Sequence, residues 1–185
     1  MDNKVTVNTT GAIGADAVGG ESHGIGSVTN NVVEIIKGMV GRDVYGGRCN
    51  NNARTASGNL AKVVNGTIVG DVFGCHSTNV LLDSNTVESS NGNIAGNVNG
   101  GFSNNSKVVN NTVEIFNGNI SSGVYGGFSG LDVTGNEVEL HGGPLQTIFM
   151  ADVLLTVRHL IMWLKSMMVL LIRMFMKVGL IIMVL

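Results

Sequence analysis

The chain has 185 residues, 11 Lys+Arg against 13 Asp+Glu and a formal net charge of −2, so it lacks the basic excess that a nucleic-acid partner calls for. Its 27 Gly come with a single Pro, which excludes a Pro-rich linker protein.

The chain opens with MDNKVTVNTTGAIG, which has no apolar core segment of the secretory-leader type. It begins inside a repeat, without the polar cap a solenoid end needs. Residues 3–7 (NKVTV), an extra residue and a GAIGADAVGG run ending at Gly20 form a loose first copy of a unit. The unit then recurs at 31–47 (NVVEIIKGMVGRDVYGG), 59–75 (NLAKVVNGTIVGDVFGC), 85–101 (NTVESSNGNIAGNVNGG) and 111–127 (NTVEIFNGNISSGVYGG). A further copy starts at Asn136 as NEVELHGG and stops matching after Gly143. Starts at 31, 59, 85, 111 and 136 give a period of about 26, the signature of stacked repeats.

Within the unit Val113, Glu114 and Ile115 alternate apolar, polar, apolar, as a half-buried strand does. Gly118 marks a turn, Ile120 starts a second run through Val124-Tyr125, and Gly126-Gly127 is expected to close it. The Asn-, Ser- and Gly-rich stretches that follow (48–58, 102–106, 128–135) read as loops. One unit cannot stand alone. About four inward aliphatics at roughly 1.5–3 kcal/mol each face about 1–2 kcal/mol of backbone entropy per residue over some 26 residues. Residues 1–143 are therefore expected to be all-β, a β-solenoid of about five repeats of about 26 residues, with neighbouring coils pairing edge to edge. The expected inward columns are Val33, Val63, Val87 and Val113, and Val44, Val72, Val98 and Val124.

Candidate chemistry is sparse. Cys49 and Cys75 lie on neighbouring coils but two residues out of phase, and are expected to be unpaired thiols. His23, His76 and His141 occupy different phases and do not stack into a ligand set. Asp43 and Asp71 do stack, with Asn97 and Gly123 taking their place later, and read as solvated corner residues. Glu34, Lys62, Glu88 and Glu114 share an outward phase, where they are expected to supply solubilising charge. The Asn-rich turns are expected to form side-chain ladders or to cap backbone groups. Nucleophile-elbow, P-loop, dinucleotide and calcium-nonapeptide spacings do not occur. No catalytic, cofactor-binding or metal-ligating residue is therefore assigned.

From Pro144 the composition breaks. Residues 144–185 hold no Asn, one Gly and seven of the nine Met. Asp152, Arg158, Lys165, Arg173 and Lys177 interrupt the apolar run, so no uncharged stretch of 18 residues exists for a clean membrane helix. Reading the third base of each codon with the first two of the next forces Gly at Met150/Ala151 and at Met168/Val169, and Val at Met162/Trp163. Permitted choices then let residues 161–169 read NVVEIYDG, mirroring NVVEIIKG at 31–38. The tail is accordingly read as a frame-shifted continuation of the repeats. As written the tail is expected to be apolar and helical or disordered, and the alternative is a small membrane-anchored β-repeat protein that uses 150–185 as a helix.

Tandem units ending in VYGG, with N-x-V-E-I strands and Asn/Ser/Gly loops over residues 3–143, resemble the repeat (passenger) regions of bacterial autotransporters and filamentous-haemagglutinin-type surface adhesins. The resemblance implies a β-solenoid stalk at the cell surface or outside the cell. It also implies a host surface, a glycan or a neighbouring cell-surface protein as partner. The expected function is a structural, adhesive and non-catalytic segment of a larger protein. The rival from another class, a β-helix enzyme acting on polysaccharide, would need carboxylates clustered at one phase beside a cleft.

Overall fold

The computed structural model describes residues 2–49 and 53–142, together with the backbone of Phe149–Met150. Among the described residues all of the regular structure is β. The first coil runs through Lys4–Ile13, Ala17–Ser22 and Val28–Thr29, and the second through Val32–Val40, Val44–Cys49 and Ala56–Ser57. The third coil comprises Leu60–Ile68, Val72–Ser77 and Leu82–Asp83. In the fourth and fifth, the first strand is broken in two: Thr86–Ser89 with Gly92–Ile94, and Thr112–Ile115 with Gly118–Ile120. Val98–Ser103 and Val108–Val109 complete the fourth coil, and Val124–Ser129 and Val133–Thr134 the fifth. Among the described residues every pairing is parallel and joins one coil to the next, giving three sheets of eight, six and five strands. The β-solenoid of about five coils expected from the repeats is present.

Two features differ from the expectation. Each coil has three strands rather than two, because a two-residue strand lies within or beyond the polar stretch that follows the second strand. Val28-Thr29, Ala56-Ser57, Leu82-Asp83, Val108-Val109 and Val133-Thr134 stack in register. Two residues among Asn, Ser and Gly are too few to show a period of two. The paired glycines also do not close the second strand, since Val44–Cys49 and its equivalents run straight through them. A Cβ on Gly46 would lie 2.5 Å from the Gly74 carbonyl oxygen and 2.7 Å from the Leu60 carbonyl carbon. One on Gly47 would lie 2.7 Å from Asn59 Cγ. Close backbone packing, not a turn, requires these glycines.

One column also needs correction. The inward column running through Val33, Val87 and Val113 has Ala61 in the third coil. Val63 belongs to the next inward column, with Val7, Ile35, Ser89 and Ile115. The reason is alternation: Ala61 and Val63 both point inward with no exposed surface, with Lys62 between them on the outer side. The column Val44, Val72, Val98 and Val124 stands as expected, with Ala17 continuing it into the first coil. These columns form the main core, while Val28, Cys49, Ala56, Cys75, Val80, Leu82, Val108 and Val133 form a smaller one beside the two-residue strands. The extra residue of the loose first copy is absorbed by register shifts between Val7 and Ala12.

An asparagine column sets where each coil starts. Asn31, Asn59, Asn85, Asn111 and Asn136 are buried. Each Oδ1 accepts both the backbone N–H and the Nδ2–H of the asparagine one coil earlier, at 2.9 and 2.9 Å for Asn85 on Asn111. The same pair of bonds joins Asn3 to Asn31, Asn31 to Asn59, Asn59 to Asn85 and Asn111 to Asn136. The residue before each buried asparagine has positive φ: Asn30, Gly58, Ser84, Asn110 and Gly135, between 54° and 69°. That left-handed residue swings the chain from the last strand of one coil into the first of the next. The Asn ladder expected from the repeat is thus a core element.

The strand Phe149–Met150 pairs with Val124-Tyr125, the phase at which Val-Tyr recurs in the repeat. The reading of residues 144–185 as frame-shifted or membrane-contacting falls otherwise outside the described residues. Among the described residues no helix is long and apolar enough to cross a membrane.

Candidate functional site

The polar and aromatic side chains gather on the outer side of the Val-Tyr-Gly-Gly sheet and at its two corners. At the corner before this sheet, Asp43 Oδ1 accepts the backbone N–H of Asp71 at 2.8 Å, and Asp71 Oδ1 accepts that of Asn97 at 2.6 Å. Asn97 Oδ1 in turn accepts that of Gly123 at 3.0 Å, and Asp16 begins the series on Asp43. The expectation of solvated corner residues is therefore corrected: these side chains fasten each coil to the next, because backbone donors at a corner lack a sheet partner.

Arg48 of the second coil gathers two acidic groups of the first. Its Nε donates to Glu21 Oε1 at 2.7 Å and its Nη1 to Asp16 Oδ2 at 2.8 Å, while Cζ lies 4.8 Å from the centre of the Tyr45 ring. The guanidinium holds the Glu21 carboxyl below its ordinary range. Tyr45 donates its hydroxyl to Asp43 Oδ2 at 2.8 Å, and burial together with that carboxylate pushes the phenol well above its usual value.

Next to this cluster runs an aromatic column that sequence reasoning did not identify. Tyr45 stacks on Phe73 at 5.0 Å and 7°, His76 on Phe102 at 5.2 Å and 13°, and Phe102 on Phe128 at 5.0 Å and 6°. Edge contacts of Phe73 with His76 and Phe102 join these pairs, and Tyr125 meets Phe128 edge-on. The signal was in the repeat: the residues before and after the paired glycines point outward and are aromatic or basic in most coils. Tyr45 and Phe73 are only 7% and 6% exposed, so their ring faces are spent on each other. Burial, and then the charge of Arg48, holds His76 below its ordinary value.

The remaining candidates lie apart. Cys49 and Cys75 are free thiols in the smaller core; Cys75 pairs with Gly47 and Cys49 with Ser77, the two-residue offset read from the repeats. A hydrogen bond from the Cys75 thiol, helped by Ser77, lowers Cys49 to about 7, and burial raises Cys75. His23 sits by Glu21 and His141 stacks on Phe116, so the three histidines do not converge. Glu34, Lys62, Glu88 and Glu114 form the outward column expected of them. Lys62 Nζ bridges to Glu88 at 2.6 Å, which raises the ammonium above its usual value. Among the described residues no group of three or more His, Cys, Asp or Glu could hold a metal ion.

The connections between the second and third strands are where coil length varies. They span 23–27, 50–55, 78–81, 104–107 and 130–132. This corner carries Ile25 and Leu131, each 70% exposed, Leu81 at 45%, and Phe128 at 41% at its edge. In comparisons with protein-family models, curated proteins and solved structures, nothing matches this chain.

Proposed function

We propose that the chain is a structural and adhesive repeat segment of a larger bacterial surface or secreted protein, and that it works by shape and contact rather than by turnover. One observation carries this reading: side chains able to do chemistry are committed to joining coils. Asp43 and Asp71 accept backbone N–H groups of the next coil, Glu88 is paired to Lys62, and the aromatic rings face one another. A general acid or base needs a proton-transfer group free to meet a substrate. The corner of variable connections, with Ile25, Leu81, Leu131 and Phe128, is the contact face in this reading, since repeat solenoids vary their loops on the binding side. The partner is a host surface, a glycan or a neighbouring cell-surface protein.

The test is retention without turnover. Beads coated with the full chain should be held by cell surfaces or immobilised glycans more than beads coated with a Leu131→Asp, Ile25→Asp variant. Common bacterial and host polysaccharides should emerge uncut. Polysaccharide cleavage lost in Glu88→Gln or Asp71→Asn would replace this reading with the β-helix enzyme.

A further inference from the structure

The coils are internal copies, so each column states its own preference. One column reads Gly20, Gly47, Cys75, Gly101, Gly127, and another two residues on reads Ser22, Cys49, Ser77, Ser103, Ser129. The first column resists a side chain: a Cβ on Gly101 would lie 2.9 Å from Val108 Cγ1 and 3.0 Å from Asn111 Cγ. Cys75 nevertheless occupies it, fully buried, and Cys49 replaces the serine of the other column one coil earlier. Both departures are cysteine, and they fall where the two thiols meet in one small core.

A disulfide does not suit the placement. Parallel strands about 4.8 Å apart and an offset of two residues of about 3.3 Å each put the Cα atoms ~8 Å apart, beyond the ~7 Å that a disulfide spans without backbone movement. Two thiolates on one cation reach further, because metal–sulfur bonds of about 2.3 Å allow sulfurs about 4.6 Å apart. Val28, Ala56, Val80 and Leu82 wall the thiols, and the nearby His76 ring lies outside among Tyr45, Phe73 and Phe102. Ser77 beside Cys49 adds only a neutral hydroxyl, already accepting the Val80 N–H, which leaves two thiolate ligands, too few for tetrahedral zinc, whereas thiolate pairs suit soft copper(I).

We propose that Cys49 and Cys75 form a two-coordinate thiolate site for copper(I), clamping the second coil to the third. On uptake the cation enters, two thiol protons leave to solvent, and the buried complex carries one negative charge. Exposure of 2% at Cys49 and none at Cys75 makes loading depend on local opening of the coil, so it is slow in the folded chain.

The full chain, reduced and kept anaerobic, is incubated with copper(I) as its acetonitrile complex and then desalted in the presence of a copper(I) chelator. Copper per chain and melting temperature are measured for it and for Cys49→Ser and Cys75→Gly, which restore the residues other coils use. The tail holds seven of nine Met, whose thioethers also take copper(I), so the difference between proteins is the readout. The unaltered chain should keep one copper more than either variant, and loading should raise its melting temperature alone by several degrees. Equal retention in the variants would mean adventitious thioether binding only and would overturn the site. So would a disulfide formed with a small-molecule disulfide while no copper difference is seen.

Discussion

Asn111 shows what a single residue does in this fold. Its Oδ1 is the acceptor for both the backbone N–H and the Nδ2–H of Asn85, and its own amide donates to Asn136, Val109 and Leu82. Asn111→Ala leaves those two donors of Asn85 buried without a partner. At about 1–3 kcal/mol for each, the variant should lose several kcal/mol in denaturant unfolding; a loss below about 1 kcal/mol would show that water replaces the ladder. Ser89 is the opposite case. It stands in the inward column of Ile35, Val63 and Ile115, and its hydroxyl is the buried side-chain polar atom without a partner among the described residues. Ser89→Ala should therefore raise stability by about 1 kcal/mol, and a drop in melting temperature would sink that account. His76 gives the fold a pH dependence. Its folded value lies below the ordinary 6.5, so the unfolded chain takes a proton that the folded chain refuses. The stability it confers is present above that value and is lost as pH falls toward the folded one. Melting temperature should fall between about pH 7 and pH 5, and His76→Phe, which keeps the stack with Phe102, should flatten the slope. Superimposable profiles would rule out His76 as the source. Glu21 titrates from a lowered value in a separate window below 4.5.

At the scale of strands, the test is the in-out alternation. Val113 has no exposed surface and lies between Val87 and Val138, so Val113→Asp buries an unpaired charge and should cost several kcal/mol. Glu114 points outward between Glu88 and Glu139, so Glu114→Lys replaces like-charge neighbours with attractive ones. That variant should melt within a few degrees of the parent; equal damage from the two substitutions would contradict the register. The first strand of each coil was legible because N-x-V-E-I repeats with a period of two and the Asn before it recurs in every copy. The Val-Tyr-Gly-Gly strand was legible in place but not in role, since glycine pairs suggest a turn when packing neighbours are unseen. The third strand was illegible: two residues show no period, and only their stacking on Val28, Leu82 and Val108 makes them a sheet. The corner ladder was half legible. Asp43 and Asp71 could be seen to stack, but their backbone partners depend on a bend that spacing alone does not specify. Ala61 fell outside the expected column because a small residue in an aliphatic position invites a shift by one alternation.

For the whole molecule, each coil contacts the coils next to it, so stability grows by adding interfaces rather than by enlarging one core. The compact unit ends at Val153 and the repeat composition at Gly143. Removing residues 154–185 should accordingly leave the β circular-dichroism signal and the melting temperature unchanged while improving solubility. A fall of several degrees would show that the coils depend on that segment. The Asn column has a further consequence for how the stack of coils can be extended. Inside, the amides of Asn59, Asn85 and Asn111 donate both ways, forward to the next asparagine and back to the carbonyls of Val28, Ala56 and Leu82, and that of Asn136 donates back to Val108. On the outside the donation runs one way: Asn105 donates back to Asn79, Asn117 to Asn91 and Asn119 to Asn93, and the corner N–H groups of Asp71, Asn97 and Gly123 likewise point back. The inner amides thus bind the coils on both sides, whereas the outer ones bind only the coil before. An α-helix adds its peptide dipoles head to tail into a field that builds toward its ends, whereas here the two N–H bonds of one inner amide point along the stack in opposite senses. An inner column built this way can be extended coil by coil without its side-chain amides accumulating an axial field.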